Sequence, residues 1–600
     1  MKIKYQIDFI YAISFILAAC SIIYEFLLAQ TISFLVANMV VWYSLTIGFY
    51  LLAMGIGALC CNKLYGHKQS WLSLFEVEVL LSMVGGISVM VVHFAHMLFG
   101  YMWFWDIGGS VAIFFLLYFL MVIGVGFLSG LELPLLIRIG KEVSVNKKIT
   151  NRILAADYFG SLIGSVLFPL VGLPYFELLT ISFVVATLNL LIAVFMLLVF
   201  VKNERKLSMR LGGASIFLAI LIFALIYIQD IQQYLLKKYY YYFRSTESAG
   251  AIFAPVNDLS NIERFSSPYQ KIDIVRFPTL KNSLAPYIIN AYSTKYQEDP
   301  NYPHRYGLYL NGDFQVQAEF DEVYHEYFAH IPIILNGSIP QKVLVLGAGD
   351  GLLIKELVKY TEIKSITLVE LDQKVIDLVR THPVLHYMSK GSLEDPRVNI
   401  TIADAYPYIR ESQEKFDAIY MDFPDPNDYN LAKLYSREFY YFIKKHLNEN
   451  GYAVFDAEEI NLFTQRSKEN TLKMDPQNSW MTNYHTLKAA GFGTIIPYVS
   501  ILETDNARAL KIVSRKILEK FVTGPKQGQG FIMVKKEPGN PVFEYRDLKI
   551  KLHVLNEQRF KLALSLPYPY PERLDTEKIN SIMRPTFPSR TNSFWIKLPY

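Results

Sequence analysis

The chain has 600 residues, a formal net charge of only +4, and 52% hydrophobic residues. This charge is too small for a chain of this length to indicate nucleic acid binding, and no basic cluster accompanies a nucleic-acid motif. Its three cysteines, Cys20, Cys60 and Cys61, all precede Asp230. The rest of the chain therefore has no thiol for a disulfide, a metal site or a nucleophile.

Seven apolar stretches before Asp230 are each long enough to cross a bilayer, which takes roughly 20 residues of helix. They cover residues 9–29, 38–60, 73–97, 108–137, 154–173, 177–201 and 211–228. The stretch 107–139 contains Pro134 and several glycines, and also allows a helix followed by a re-entrant segment. We predict an α-helical membrane domain over residues 1–230, with about seven transmembrane helices and the lipid bilayer as a partner.

Charged residues in the connections predict the orientation of these helices. Lysines and arginines occupy alternate connections, and the loops between them carry none. The positive-inside rule then places the N-terminus in the cytoplasm. Seven crossings would put the rest of the chain outside the cytoplasm, and one crossing more would reverse that side.

Acidic residues also occur inside the apolar stretches, although an ionisable group in hydrocarbon is costly. They are Glu25, Glu76, Glu78, Glu132 and Asp157. Five acids without a comparable set of bases would suit a cationic solute. Alternatively, the acids face one another or the helix ends and hold the bundle together.

Residues 231–261 connect the two halves of the chain. The run from Lys237 to Arg244 combines tyrosines with cations, and such side chains suit the level of the lipid headgroups. We predict an interfacial linker there.

Short apolar strands alternate with helical stretches in the second half. The predicted strands cover residues 343–346, 365–369, 398–402, 416–421 and 452–455. This alternation predicts a soluble α/β domain with a Rossmann-like parallel sheet. Its ligand crevice should lie outside the carboxyl ends of the strands.

The first of these strands runs into the turn Gly347-Ala-Gly-Asp-Gly351. Gly347 and Gly349 permit a tight turn and a close approach of the backbone to a ligand. Glu370, at the end of the next strand, can accept hydrogen bonds from two ribose hydroxyls. The turn lacks the third glycine of a dinucleotide fingerprint, so adenosylmethionine or a relative is favoured over a nicotinamide cofactor.

Further acids follow the strands. The carboxylate of Asp350 would repel the carboxylate of ordinary adenosylmethionine and attract the bare ammonium of its decarboxylated form. Asp404 and Ala405, after the third strand, are placed to contact an adenine edge. Asp422 and Asp425 follow the fourth strand in a proline-stiffened loop, so both can project into the same crevice. The pattern predicts a cation pocket beside a nucleoside.

Eight motifs, in order, resemble the signatures of the polyamine aminopropyltransferases, the spermidine synthase family. They are Ser267-Pro-Tyr-Gln270, Leu310-Asn-Gly312, Asp321-Glu-Val-Tyr-His-Glu326, the Gly347 to Gly351 turn, Val369-Glu-Leu-Asp372, Asp404-Ala405, Asp422-Phe-Pro-Asp-Pro426 and Leu434-Tyr-Ser436. The resemblance covers most of residues 262–600. The membrane half resembles the multi-pass extension of some bacterial members, and Asn311, where soluble members usually carry aspartate, fits that subgroup.

The resemblance implies transfer of an aminopropyl group from decarboxylated S-adenosylmethionine to putrescine or a similar amine. The products would be spermidine or a related polyamine and 5'-methylthioadenosine, and no metal would take part. Asp422 would be the proton acceptor in a direct SN2 attack. The residues that would hold the amine are His325, Asp350, Asp425, Tyr324 and Tyr435. The residues that would hold the co-substrate are Gln270, Gly347, Gly349, Glu370, Asp404 and Ala405.

The resemblance also implies a small N-terminal β-sheet domain that caps the substrate, over residues 262–339, and a Rossmann-like, methyltransferase-type catalytic domain over residues 340–600. It implies a homo-oligomer of two or four subunits in the bacterial inner membrane. The co-substrate is made in the cytoplasm, whereas the loop charges place the domain outside it. The side of the membrane is therefore left open.

Two other functions also remain open. One is an adenosylmethionine-dependent amine methyltransferase, and the other is a membrane polyamine transporter or sensor with a non-catalytic synthase-like domain. Several features depart from the family pattern. Ala348 stands where a third glycine is usual, which is tolerated if its backbone dihedral angles are ordinary. Gln529 stands where tryptophan is common, and stretches 282–305 and 502–521 are insertions of undecided role.

Overall fold

A computed structural model describes part of the chain. These are residues 3–36, 39–104, 107–144, 148–201, 206–241, 261–277, 303, 305–318, 321–424, 426, 429–461, 479–500, 527–539, 541–565 and 573–586. The chain divides into two compact units, one containing residues 1–262 and the other formed by residues 263–595.

The first unit is helical. Its helices are α1 (Ile3–Leu35), α2 (Met39–Tyr65), α3 (Ser70–Phe104), α4 (Ser110–Val143), α5 (Ile149–Leu167), α6 (Leu178–Phe200), α7 (Leu207–Ile226) and α8 (Ile228–Tyr241). A π-helical turn, Phe168–Gly172, and a short helical turn, Leu173–Tyr175, follow α5. Within the described ranges, seven helices are long and apolar enough to cross a membrane, which confirms the predicted number.

The stretch around Pro134 forms one helix, α4, and not a helix with a re-entrant segment. The last helix, α8, carries tyrosines of the predicted linker. Tyr239 and Tyr240 are buried, and the ring of Tyr239 lies 5.1 Å from that of Phe34. These two tyrosines therefore pack within the protein.

Small residues allow α2 and α4 to pack closely. A Cβ on Gly130 would lie 2.1 Å from the backbone oxygen of Met54, and one on Gly57 would lie 2.2 Å from that of Phe127. Only glycine permits such an approach between helices. On the outside of the unit, large apolar side chains such as Leu59 are exposed, as expected of a surface that meets lipid.

A four-stranded sheet opens the second unit, with the order β1-β2-β3-β4. Its strands are β1 (Asn261–Ser266), β2 (Lys271–Arg276), β3 (Tyr306–Leu310) and β4 (Asp313–Gln317). Asn311, in the turn between β3 and β4, has φ 50°, a left-handed value that asparagine tolerates better than most residues. Its side-chain oxygen accepts a hydrogen bond from the backbone N–H of Lys271 at 3.0 Å.

The large sheet has seven strands in the order β10-β11-β9-β8-β5-β6-β7. They are β5 (Lys342–Gly347), β6 (Ser365–Glu370), β7 (Val398–Ile402), β8 (Phe416–Asp422), β9 (Leu447–Asn461), β10 (Thr494–Ser500) and β11 (Gln527–Lys535). The five predicted strands are confirmed and pair in parallel. The two later strands add an antiparallel edge.

Helices accompany the sheet. They are α9 (Asp321–Asn336), α10 (Leu352–Leu357), α11 (Gln373–Thr381), α12 (Pro383–Ser389), α13 (Ala405–Glu411), α14 (Tyr429–Ala432), α15 (Arg437–Lys445), α16 (Ser479–Ala489) and α17 (Glu557–Leu564). Successive residues of β5 belong to two different cores, Val343 and Val345 to one and Leu344 and Leu346 to the other. Both faces of the sheet are therefore covered, as an apolar parallel sheet requires.

Strand order fixes the position of the ligand crevice. The chain leaves β5 towards β6 and β7, then returns to the other side of β5 with β8. Such a switch point opens a crevice at the carboxyl ends of the strands. Gly347 pairs with Asp422 there, so the glycine turn and the predicted proton acceptor are neighbours.

Helix α9 is fixed by the hydrogen bonds of one buried acid and the ion pair of another. The carboxylate of Glu326 accepts hydrogen bonds from the backbone N–H groups of residues 553, 554 and 555 at 2.6, 2.8 and 2.7 Å. At the start of the helix, Lys355 contacts both carboxylate oxygens of Asp321 at 3.0 Å. These contacts hold in place the helix that carries Tyr324 and His325.

Candidate active site

The glycine turn brings two acids against the backbone. Gly347 has φ 82°, and a Cβ there would lie 2.0 Å from the backbone oxygen of Asp422. A Cβ on Gly349 would lie 2.6 Å from Oε2 of Glu370. Both positions therefore require glycine. The condition of ordinary dihedral angles at Ala348 is not met, because its φ is 60°, a conformation that costs an L-residue about 1–2 kcal/mol.

Glu370 ends β6 beside this turn and is half-buried. Its Oε1 accepts a hydrogen bond from the backbone N–H of Asp372 at 2.9 Å. Burial raises its pKa to about 7, and the nearby charges of Asp372 and Asp350 add to the shift. The carboxyl is therefore poised to ionise near neutral pH and to accept hydrogen bonds from a ligand.

Gln270 reaches the same strand end from the small sheet. Its Nε2 donates to Oδ2 of Asp372 at 3.0 Å, and the hydroxyl of Ser267 donates to the same oxygen at 2.6 Å. The buried carboxylate of Asp372 also caps α11 through the N–H of Lys374. Gln270 is therefore joined through Asp372 to the strand end that carries Glu370, and its contact with the co-substrate stays a prediction. Asp372, which was not among the predicted site residues, positions it.

Asp404 and Ala405 begin α13. Oδ1 of Asp404 caps the helix by accepting from the N–H of Tyr406 at 2.9 Å, while Oδ2 contacts Nζ of Lys433 at 2.8 Å. Ala405 is buried. An adenine amino group at Asp404 would therefore share the carboxylate with Lys433.

Asp422 and Asp350 meet at the switch point between β5 and β8. Both are half-buried, and Oδ1 of Asp350 accepts from the N–H of Leu352 at 3.0 Å. Removal from water raises the pKa of Asp422 well above its usual range. The charges of Asp350, Asp456 and Glu370 raise it further. This concentration of acids favours a cationic ligand.

His325 is buried, and its Nδ1 lies 2.8 Å from the backbone oxygen of Asp321. A carbonyl oxygen only accepts hydrogen bonds, so Nδ1 carries the proton and Nε2 is the acceptor of the neutral ring. Burial lowers the pKa of His325, although the charges of Asp350 and Asp321 oppose the shift. A neutral ring can accept a hydrogen bond from an ammonium group.

The loop after β8 contains Asp425 and contacts Tyr435, two of the predicted site residues. The hydroxyl of the buried Tyr435 lies 3.1 and 3.2 Å from the backbone oxygens of Phe423 and Pro424. In this conformation it holds the loop, which is a different role from the predicted contact with an amine. Asp425, the other predicted amine contact in this loop, lies outside the described residues.

The comparisons with known proteins agree with this geometry. Residues 321–490 match the family model of the spermine/spermidine synthase domain. A polyamine aminopropyltransferase of Leptospira interrogans is 30% identical over 73% of this chain and 76% of its own length. One of Oceanobacillus iheyensis is 31% identical over 75% and 78%. Polyamine aminopropyltransferase 2 of Aquifex aeolicus is 27% identical over 94% of both chains.

The chain belongs to the polyamine aminopropyltransferase family. The family predicted from the motifs is thus confirmed. Its assignment to a membrane-bound subgroup remains a prediction that rests on the seven apolar helices.

The sequence-based prediction did not include one acid of this aminopropyltransferase site. Asp456 lies in β9, one residue beyond Phe455, which pairs with Met421 of β8. Its Oδ2 lies 3.0 Å from the hydroxyl of Tyr324, and the same hydroxyl lies 2.7 Å from Oδ1 of Asp422. The signal was available: an acid near the ligand edge of the sheet, level with Asp422 on the neighbouring strand.

Proposed function

We propose that this enzyme transfers an aminopropyl group from decarboxylated S-adenosylmethionine to putrescine or a similar diamine, producing spermidine or a related polyamine and 5'-methylthioadenosine. The convergence of Asp350, Asp422 and Glu370 at the ends of three neighbouring strands carries this proposal. Glu370 suits a ribose, whereas Asp350 and Asp422 suit ammonium groups.

The reaction requires a proton acceptor. A primary amine with a solution pKa of about 10 arrives protonated, and its nitrogen has no lone pair for attack. An ammonium beside Asp350 and Asp422 stabilises the ionised form of Asp422 and so opposes the upward pKa shift caused by burial. Asp422 then takes one proton from the ammonium.

The freed nitrogen lone pair attacks the aminopropyl carbon bonded to sulfur. A carbon–nitrogen bond forms, the carbon–sulfur bond breaks, and sulfur keeps the electron pair of that bond. The sulfonium becomes a neutral thioether, and the product nitrogen is a secondary ammonium. One proton per turnover remains on Asp422.

The nucleoside part of the co-substrate would lie along the strand ends. Glu370 would accept from the ribose hydroxyls, and Gln270 and Asp404 would orient the sugar and the base. Gly347 and Gly349 leave the turn without side chains that would collide with the neighbouring acids. Tyr324 and His325 would help to hold the amine from the side of α9.

Release of methylthioadenosine by purified full-length protein tests this proposal. The protein is given decarboxylated adenosylmethionine with putrescine, cadaverine or spermidine, and ordinary adenosylmethionine in parallel. We expect release with a diamine, and Asp422→Asn should reduce it by at least about 100-fold. Asp417→Asn is the matched control, because Asp417 lies at the opposite end of β8.

Two outcomes would favour the alternatives. Methyl transfer from ordinary adenosylmethionine, with no methylthioadenosine released, would indicate an amine methyltransferase. Polyamine binding without either reaction would indicate a sensor or transporter.

We further propose that the enzyme resides in the bacterial inner membrane, which the seven apolar helices support. The alternating loop charges favour the outer side for the α/β unit, whereas supply of the co-substrate from the cytoplasm favours the inner side. A Glu362→Cys variant adds an exposed thiol to a unit without cysteine. If the unit lies on the outer side, an impermeant thiol reagent should label the Glu362→Cys variant in intact cells and should not label the parent protein. Labelling only after lysis would place the unit in the cytoplasm.

A further inference from the structure

The hydroxyl of Tyr324 lies between two carboxyl groups. It is 2.7 Å from Oδ1 of Asp422 and 3.0 Å from Oδ2 of Asp456. A hydroxyl donates one hydrogen bond, and an ionised carboxylate only accepts. With both acids ionised, one of the two contacts would therefore hold no proton. The three groups are fully hydrogen-bonded when one of the two acids is protonated.

Packing fixes the position of this hydroxyl. The ring of Tyr324 lies 5.1 Å from that of Phe531 and 5.6 Å from that of Phe328. Helix α9, which carries Tyr324, is anchored through Glu326 and Asp321 as described above. The hydroxyl is therefore a rigid bridge between β8 and β9.

Asp456 is also held in place. The side-chain amide of Gln529, in β11, donates to Oδ1 of Asp456. The other oxygen, Oδ2, faces the hydroxyl of Tyr324. An amide neither gains nor loses a proton in the physiological range, so Gln529 orients the carboxyl without competing for its proton.

We propose that Asp456 is a positioning residue that exchanges a proton with Asp422 through the hydroxyl of Tyr324. The inference rests on the proposed aminopropyl transfer. In one state, protonated Asp422 donates to the oxygen of Tyr324, and Tyr324 donates to ionised Asp456. Each proton then moves one place along this chain. Asp422 becomes ionised, Tyr324 is neutral again, and Asp456 is protonated.

The exchange has a purpose in the reaction. Each transfer leaves one proton on Asp422, and Asp422 must be ionised before it can accept another. An incoming ammonium beside Asp350 and Asp422 stabilises the ionised form of Asp422. It therefore drives the proton towards Asp456. Asp456 is partly exposed, so it passes this proton to solvent water before the next turnover, and one proton leaves the enzyme in each cycle.

Other titratable groups surround the three members. Asp350 and Glu370 face Asp422. Burial is the main cause of the raised pKa of Asp422, and the charges of these two acids add to it. His325 lies against Tyr324, with ring centroids 4.9 Å apart, and burial lowers its pKa. Tyr498 interacts with Asp456. His325 and the tyrosines are neutral near pH 7, whereas Glu370 titrates near that pH. Asp422 and Asp456 are the two acids that the hydroxyl of Tyr324 connects, so a proton can pass between them through it.

A double-mutant cycle with Asp456→Asn and Tyr324→Phe tests the exchange. In the parent background, Asp456→Asn should lower kcat about tenfold or more. The KM for the diamine should stay within about threefold, and the acid limb of the pH profile should move. In the Tyr324→Phe background, Asp456→Asn should change kcat by less than about twofold, because the connection is already broken.

Two further variants serve as controls in case Asp456→Asn or Tyr324→Phe impairs folding. Thermal unfolding of every variant shows whether it is folded. Gln529→Met leaves the carboxylate but removes the amide that orients it, and should lower kcat in the same direction with a smaller effect. Asp417→Asn removes an acid that accepts from the N–H groups of residues 341 and 342. It should leave the shape of the pH profile unchanged.

Several results would overturn the exchange. A raised KM with unchanged kcat in Asp456→Asn would make Asp456 an amine contact. Equal effects of Asp456→Asn in both backgrounds would show that it does not act through Tyr324. Infrared spectra of the purified protein give a readout without turnover. A protonated carboxyl band near pH 7 should change in Asp422→Asn, Asp456→Asn and Tyr324→Phe alike, and an unaltered band in Asp456→Asn would contradict the proposal.

Failure of the proposed function gives a different pattern. If the parent releases no methylthioadenosine with any amine, the aminopropyl transfer is wrong. The infrared measurement then still decides whether the two acids share a proton.

Discussion

The two units of the chain both enclose carboxyl groups, yet in different surroundings. In the helical unit, Glu78 is 0% exposed and Glu132 is 5% exposed, and the hydroxyl of Ser21 donates to Glu132 at 2.9 Å. In the α/β unit, Asp422 and Glu370 remain half-buried at the ligand edge of a sheet. A buried acid is costly in either place. Of these four acids, Asp422 and Glu370 are the two that are reachable by a ligand without movement of the surrounding helices.

After Asp422→Asn, the largest expected effect concerns Asp350. Asp350→Asn removes a charge that attracts the ammonium groups, and should lower kcat/KM for aminopropyl transfer about 100-fold. Initial rates of methylthioadenosine release measure this loss. The variant should also bind ordinary adenosylmethionine more tightly than the parent, because the repulsion between carboxylates is removed.

Glu132→Gln is the counterpart in the helical unit. Its carboxyl contacts Ser21 and belongs to the other compact unit, so aminopropyl transfer should stay within about threefold of the parent. A folded Glu132→Gln protein with a loss as large as that of Asp350→Asn would show that the two groups of acids work together.

Glu370→Gln should weaken binding of methylthioadenosine about tenfold to 100-fold, because hydrogen bonds to a charged group contribute about 1.5–3 kcal/mol. With a pKa of about 7, Glu370 is ionised above that pH and protonated below it. Binding by the parent should therefore weaken as pH falls through 7. Calorimetry from pH 5.5 to 8.5, set around that pKa, should show a flatter dependence for the variant; equal slopes would disprove the role of Glu370.

Tyr435→Phe removes the hydroxyl that holds the backbone oxygens of Phe423 and Pro424. We expect kcat/KM to fall about fivefold to tenfold, since one hydrogen bond contributes about 1 kcal/mol. Tyr441→Phe, at an exposed position of α15, is the matched control and should have no effect. Equal activity of the two variants would mean that the loop does not depend on Tyr435.

The smallest effect is expected at Ala348. Ala348→Gly relieves a left-handed backbone conformation but adds freedom to the unfolded chain, so the free energy of unfolding should change by at most about 1 kcal/mol. Ala329→Gly, inside α9, should instead destabilise the protein by at least about 1 kcal/mol. Chemical denaturation measures both. A large loss of unfolding free energy in Ala348→Gly would show that the backbone at Ala348 is not strained.

The parts of the site that follow a strand end were predictable. Gly347, Glu370 and Asp422 each stand where an apolar strand stops, and such positions meet at one edge of a parallel sheet. Asp456 follows the predicted strand 452–455 in the same way and was overlooked, and in the structure β9 continues past it to Asn461. Its importance depends on the pairing with β8 and on Tyr324 from α9, neither of which periodicity reveals.

Motif position alone does not distinguish a ligand contact from a structural one. Glu326 stands beside Tyr324 and His325 in the sequence, yet its carboxylate accepts three backbone N–H groups of a distant segment. The hydroxyl of Tyr435 likewise faces the loop backbone. A choice among side-chain rotamers decides such roles, and it depends on neighbours that are remote in the sequence.

The contact between Glu326 and residues 553–555 has a consequence for biosynthesis. These partners are separated by 227 to 229 positions, and contacts of such long range form late in folding. A ribosome releases the chain from its N-terminus, so the apolar helices emerge first. The carboxylate of Glu326 in α9 therefore has no backbone N–H partners until residues 553–555 have been synthesised. The apolar helices of a nascent chain are therefore complete before its active site is assembled.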